Sequence, residues 1–356
     1  MGSNQKINRR KFLGASMAGT MGMAMAGKAA AAPGVTNASL PNAPDKDQPF
    51  NPRTFAAMPT NAFGKTGYKV GILSLGGQAS IEVKGREELS EKIINRAIDL
   101  GINYIDTAAS YGRGLSQLNI GRVMKTRRKE VFLATKTHDR SYDGSMRLLE
   151  ESLTNLQTDH LNIWQLHNVQ RQDQVDQIFS DEGAIKAFEK ARSEGMVKFL
   201  GITGHYEPMI LKQCIERFDF DTILMAVNGA DVHYLSFKNY LLPEVQKKGM
   251  GIISMKVATR GRMLSSWTPP PMDEQPERMA TRLPGALSIK EALEYNMSLP
   301  VSTTIIGVDD VEQIEENVKI ASEFSPLNND QMAAIEYKCL PIVRQGLYFR
   351  RWELGV

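Results

Sequence analysis

Four residues of this chain have the side-chain types needed to pass a proton to an oxygen: Asp106, Tyr111, Lys136 and His167. The stretch NYIDTAASYG (103–112) sets a carboxylate and a phenol close together, VFLATKT (131–137) carries the lysine, and LNIWQLH (161–167) ends in the histidine. A phenol with a pKa near 10 is a poor acid at neutral pH. An ammonium within a few Å favours the phenolate, lowers that pKa and eases donation. The ammonium needs an anionic partner in a cramped site, and Asp106 supplies one. His167 can hold a substrate oxygen in place by donating to it. Each residue also has an ordinary reading: a helix cap, a half-buried aromatic, a snorkelling amine, a satisfied core histidine. Their recurrence on consecutive segments favours one site over four coincidences.

The segments that must position them are eight apolar runs: VGILSLGG, NYIDTA, VFLATKT, LNIWQLH, VKFLGITGH, TILMAVN, GIISMKV and STTIIGV. Near-continuous apolar runs suit parallel strands covered on both faces. Between them lie helical stripes, such as Leu89, Ile93, Ile94, Ala97 and Ile98, and Met146, Leu149, Leu153 and Leu156. Alternating strands and helices over about 300 residues predict an α/β fold of the closed (β/α)8 TIM-barrel type. A short N-terminal β-hairpin is expected in NAFGKTGYKV, turning around Gly64 and Gly67. A doubly wound sheet would want a G-x-G-x-x-G turn after an early strand, and LSLGGQASIE has none. In a barrel, chemistry gathers at the C-terminal ends of the strands, where all four residues fall.

The motifs YIDTAASYG, LATKT, WQLHNV and TTIIGVDDVEQIEENV, in this order and spacing, resemble the aldo-keto reductase family across nearly all of the chain from about Met58 onward. The resemblance implies Tyr111 as proton donor, Lys136 as its neighbour, Asp106 as the lysine's partner and His167 facing the carbonyl. It implies a nicotinamide cofactor, NADP or NAD. Thr203, Asn228 and, as a further candidate, His205 would hold the nicotinamide amide, with Met255 beneath the ring. Gly77 would line the same site. Lys256 and Arg260 would be the phosphate cations, while Gly307, Gln313, Glu316 and Asn317 would hold the adenosine half. Many relatives carry an aromatic residue where Met255 stands. The 2′-phosphate of NADP wants basic residues near the last of these segments; Asp309, Asp310 and Gln313 stand there instead, which suits a free ribose hydroxyl. The implied activity is reduction of an aldehyde, ketone or sugar carbonyl, or oxidation of the matching alcohol. The alternative is a cofactor-bound regulatory or redox-sensing barrel with little turnover.

Residues 1–31 hold Lys6, Arg9, Arg10, Lys11 and Lys28 and no acid. Against a formal net charge of +3, those five leave the remainder at −2. The basic balance therefore belongs to the front of the chain, and a nucleic-acid surface is not expected. The basic start, the Gly/Ala/Met-rich run and the Ala29-Ala30-Ala31 site have the layout of an export signal. Arg9-Arg10-Lys11-Phe12-Leu13 resembles the twin-arginine type, implying the twin-arginine export machinery as a partner and a periplasmic or secreted protein. The run is too weakly apolar for a stable membrane anchor. The expected organisation is a signal over 1–31, a linker over 32–52 and the barrel over 53–356. Two cysteines, Cys214 and Cys339, cannot build a metal cluster.

Overall fold

The computed structural model describes residues 48–352; the expected signal and most of the expected linker lie outside them. Eight parallel strands close into a barrel: β3 (Leu73–Gly76), β4 (Tyr104–Asp106), β5 (Phe132–Thr137), β6 (Leu161–Leu166), β7 (Val197–Gly204), β8 (Thr222–Ala226), β9 (Gly251–Met255) and β10 (Thr303–Ile306). The ring is closed by β10 pairing with β3, Ile305 opposite Ser74. Strands β4, β5, β6, β8, β9 and β10 are buried along their whole length, as the apolar runs required. Helices pack outside, among them α1 (Glu87–Asp99), α2 (Leu115–Arg127), α3 (Tyr142–Leu156), α4 (Ala184–Ser193), α5 (Pro208–Arg217), α6 (Ile289–Ser298) and α7 (Val311–Ser322). In α1 the stripe Ile93, Ile94, Ala97 and Ile98 is buried, and Leu89 packs at its edge.

The hairpin precedes the barrel: β1 (Thr60–Ala62) pairs antiparallel with β2 (Lys69–Gly71). Part of the run VGILSLGG thus belongs to the hairpin, and only its second half enters the barrel. The connecting turn seals the N-terminal end. Gly64 has φ 51°, and a Cβ there would meet the backbone nitrogen of Gly251 at 2.1 Å, so only glycine fits. Phe63 then sits wholly buried, edge-on to Tyr104 and Phe132, both at 5.5 Å. Tyr68 packs 4.4 Å from Phe132. Just ahead, Asn51 anchors the incoming chain to the same end, donating to the carbonyls of Ile98 (2.8 Å) and Ile102 (3.1 Å). With one end closed by rings, the opposite rim is left for chemistry.

Candidate active site

Strand β4 ends in Asp106, and the following turn carries Tyr111 back over the barrel mouth. Gly112, Arg113 and Gly114 all have left-handed backbone conformations, with φ of 55°, 56° and 93°. A Cβ on Gly112 would lie 2.2 Å from the carbonyl oxygen of Glu82; the turn depends on that glycine. Strand register does the rest. Lys136 on β5 stands opposite Gln165 on β6, with its side chain inside the barrel. Its ammonium donates to Asp106 Oδ2, to the carbonyl of Thr107 at 2.7 Å and to the Tyr111 hydroxyl at 3.5 Å. Asp106 and Lys136 are each 1% exposed. Gln165 Nε2 donates to the other Asp106 oxygen at 2.9 Å, and the Tyr104 hydroxyl approaches it at 3.5 Å. The His167 ring lies 5.6 Å from that of Tyr111 and nearly perpendicular to it, and its Nδ1 is 3.3 Å from Ser110 Oγ.

These surroundings set the protonation states. Burial raises the Tyr111 pKa well above 10, Asp106 and Glu82 add to the rise, and Arg260 opposes it. The lysine was expected to pull the phenol down. Here its charge is matched by Asp106, so desolvation prevails and the phenol is kept protonated, in the donor form. Burial lowers the Lys136 pKa while Asp106 pulls it back up. His167 is held well below 6.5, first by burial and then by Lys136, Arg140, His138 and Lys256. It is therefore a neutral imidazole. Where Nδ1 accepts from Ser110, the hydrogen rides on Nε2, free to be donated to a substrate.

From Tyr111 a cleft of about 710 Å3 runs across the rim. Gly77, Met255, Lys256, Arg260, Gly307, Gln313, Glu316 and Asn317 all line it, together with Asp106 and Tyr111. Lys256, Thr259 and Arg260 adopt left-handed conformations, with φ of 67°, 51° and 53°, strain that concentrates at functional loops. The Lys256 amine has one hydrogen bond among the described residues, to Gln78 Oε1 at 3.4 Å. Burial, with Arg260 and Lys136, pushes its pKa down to about 8. Arg260 reaches Glu82 at 3.5 Å.

Two expected amide holders sit differently. Asn228 is buried and does not line the cleft: its Nδ2 serves the Lys256 carbonyl, Thr259 Oγ1 and the Gly346 carbonyl, and its Oδ1 accepts from Ala230. It is spent on tying the strained loop after β9 to the C-terminal segment. Thr203 is also buried and accepts from the Asn168 backbone at 2.7 Å. His205 donates from Nδ1 to Asn168 Oδ1 at 2.8 Å, and its pKa is held well below 6.5, chiefly by burial.

The acidic residues at the far end are partly occupied too. Asp310 caps α7 by accepting from Gln313 N at 2.8 Å, and Gln313 Oε1 accepts from Asp309 N at 2.9 Å. Beside them lies Arg86, a cleft residue that sequence spacing did not single out. It donates to Ser80 Oγ at 2.8 Å, and Ser80 donates to the Asp309 carbonyl. Gln165 was also passed over. Its place two residues before His167 in the run LNIWQLH, hence on the same face of an extended segment, was the available signal. Both cysteines are free and buried, with burial raising each thiol to about 12. Among the described residues no group of three or more His, Cys, Asp or Glu could hold a metal, and no helix is long and apolar enough to cross a membrane.

The Aldo/keto reductase family model matches residues 70–339, and the chain belongs to that family of oxidoreductases. It is 29% identical over 309 residues to L-galactose dehydrogenase of Arabidopsis thaliana, covering 78% of this chain and 93% of that protein. It is 26% identical over 263 residues to the uncharacterized oxidoreductase YqkF of Bacillus subtilis, covering 65% and 81%. The holo form of an aldo-keto reductase from Bacillus halodurans superposes with a TM-score of 0.65 at 24% identity, over 79% of this chain and 96% of that one. An aldo-keto reductase from Klebsiella pneumoniae in complex with NADPH gives 0.61 at 19%, over 79% and 94%. These two likenesses establish the fold.

Proposed function

We propose that the protein reduces an aldehyde, ketone or sugar carbonyl, or oxidises the matching alcohol, with NADP or NAD, and that Tyr111 is the general acid/base. The observation that carries this reading is the Tyr111 hydroxyl 3.5 Å from a lysine paired with Asp106, at the end of a cleft large enough for a dinucleotide. The donor set fits that group. Lys256 is a buried amine with a single long contact, and Arg260 stands beside it, both suited to a pyrophosphate. Gly307, Gln313, Glu316 and Asn317 would take the adenosine half, Met255 would underlie the nicotinamide, and Thr203 and His205 would hold its amide. The bound nicotinamide supplies or accepts the hydride.

The chain's own residues do the remainder. His167, neutral, donates to the carbonyl oxygen and orients it. Tyr111 delivers its proton as negative charge develops there, and Lys136 stabilises the phenolate left behind. Asp106 keeps the lysine charged against the pull of burial. The likeness to L-galactose dehydrogenase favours a sugar or another hydroxy-carbonyl compound. The test is a panel of aldoses, hydroxy-aldehydes and a reactive model such as 4-nitrobenzaldehyde, followed by nicotinamide absorbance. A wild-type protein that binds dinucleotide yet turns over none of them would favour the regulatory reading.

The reading extends to export by the twin-arginine route to a periplasmic or extracellular location, on the strength of Arg9-Arg10-Lys11-Phe12-Leu13. Replacing both arginines with lysine is expected to retain the protein in the cytoplasm. Unchanged fractionation would sink this part.

A further inference from the structure

Behind His167 lies a cation that the proton transfer does not use. Arg140, just beyond β5, is 8% exposed and makes no ion pair among the described residues. Its neighbour Asp139 is engaged with Ser141, at 2.8 Å to the backbone and 2.7 Å to the hydroxyl. Arg140 Nη2 donates to two successive carbonyls, His167 at 2.7 Å and Asn168 at 3.2 Å. Its Nε and Nη1 are buried without hydrogen-bond partners. A guanidinium placed so is expensive, and two neutral carbonyls alone do not require a charge.

The clamped turn is unusual. Asn168 has φ 53°, uncommon for a residue other than glycine. Its backbone N–H donates to Thr203 Oγ1, and its side-chain carbonyl accepts from His205. One strap thus joins His167, Thr203 and His205, and Arg140 grips it at its two carbonyls. We propose that Arg140 is a positioning residue: it fixes the His167–Asn168 turn, orients the two imidazoles tied to that turn, and sets its own positive charge behind His167. This rests on the reading of His167 as the group that faces the carbonyl.

The charge argument requires every group around that imidazole. Lys136 faces it from β5, His138 and Arg140 from the loop after β5, His205 from the end of β7, Lys256 from the loop after β9, and Tyr111 and Ser110 from the turn after β4. Burial leads in keeping it neutral. Arg140 is one of four cationic or titratable neighbours that add to the effect.

The test uses the full chain with isotope-labelled histidine, the His167 signal being assigned by its loss in His167→Asn. In the wild type His167 should stay neutral through roughly pH 5–8, where a free histidine titrates. Arg140→Met should raise its midpoint by about one pH unit. The same variant should lower kcat on a model aldehyde on the order of 100-fold. Arg140→Lys keeps the charge and loses the fork, so the midpoint should stay while kcat falls. Arg140→Gln keeps donors and loses the charge, so the midpoint should rise as in the methionine variant. It also serves as the deciding variant if Arg140→Met does not fold. A folded Arg140→Met or Arg140→Gln protein with a wild-type His167 titration overturns the proposal. The histidine titration needs no turnover, so it decides on Arg140 even if the carbonyl-reductase reading fails through an inert wild type.

Discussion

At the N-terminal end of the barrel Phe63, Tyr68, Tyr104, Phe132 and Phe199 pack ring against ring, while at the C-terminal end Asp106, Lys136, Asp231 and Arg350 are buried as ions. The floor is held by area removed from water, which is strong, non-directional and tolerant of small displacements. The rim is held by directional bonds between desolvated charges, where removing one partner strands the other. Arg350 shows this at its plainest. Fully buried, it donates to Asp231, to the carbonyl of His205 at 2.6 Å and to that of Ala226 at 2.8 Å. Tyr104 belongs to both ends, its ring in the floor and its hydroxyl 3.5 Å from Asp106. The same eight strands thus carry a stable end and an expensive one.

Changes at the rim should strike activity, with stability falling only where a buried charge is stranded; changes at the floor should cost stability and leave turnover. The largest effect is expected for Tyr111→Phe, with kcat for carbonyl reduction down by about 10² to 10⁴ and dinucleotide affinity nearly unchanged. Lys136→Met should be similarly damaging, and it strands Asp106, so it should also lower stability by about 3–5 kcal/mol in thermal unfolding. Combining the two should cost little more activity than either alone, since both serve one proton transfer. If Tyr111→Phe reduces 4-nitrobenzaldehyde as fast as wild type, the assignment of the proton donor is wrong.

Phe63→Ala attacks the floor. It removes a fully buried ring and should destabilise by about 3–5 kcal/mol. Turnover per folded molecule should hold at temperatures where the variant remains native. A loss of kcat at full occupancy of the native state would show that the two ends are coupled through Tyr104.

A smaller effect should appear at Lys256. A bound pyrophosphate favours its charged form, so the complex holds that proton to higher pH than the free protein, whose midpoint is about 8. Affinity should therefore be level below pH 8 and weaken above it, by up to roughly tenfold per pH unit until the midpoint of the complex is reached. Calorimetric titration at several pH values checks this, and Lys256→Met should bind more weakly with the slope gone. The smallest effect concerns the 2′-phosphate. With Asp309 at the far end and Arg86 beside it, any preference for NADPH over NADH should stay below about a hundredfold, or roughly 2.7 kcal/mol. Arg86→Ala should weaken NADPH binding more than NADH binding. A larger NADPH preference in the wild type would contradict the weight given to Asp309.

The barrel was legible in the sequence because its strands are apolar runs and its helices carry clean stripes, both local patterns. Asp106, Lys136 and His167 were legible for a related reason: each stands at or near the end of such a run, and the fold then brings strand ends together. What escaped was set by contacts between distant segments. Asn228 stands at a strand end like the others, yet its amide is taken by Gly346, more than a hundred positions away. Arg86 lies at the start of α1 and reaches Asp309 only through Ser80. The protonation of Tyr111 escaped as well, because type and spacing give the neighbours of a phenol and not its depth. Burial, the leading cause of its shift, is a property of the assembled barrel.

The position of Asn51 has a bearing on how the protein can be tethered. That residue fastens the chain to the floor through Ile98 and Ile102. At the other extremity Trp352 stacks on Tyr234 at 4.0 Å, next to the Arg350 clamp on the rim. A bead fixed to the floor beside Asn51 sits on the side opposite the cleft and keeps the mouth facing the medium. A bead fixed at Trp352 sits beside the mouth, where it meets arriving substrate and pulls on the segment that covers His205.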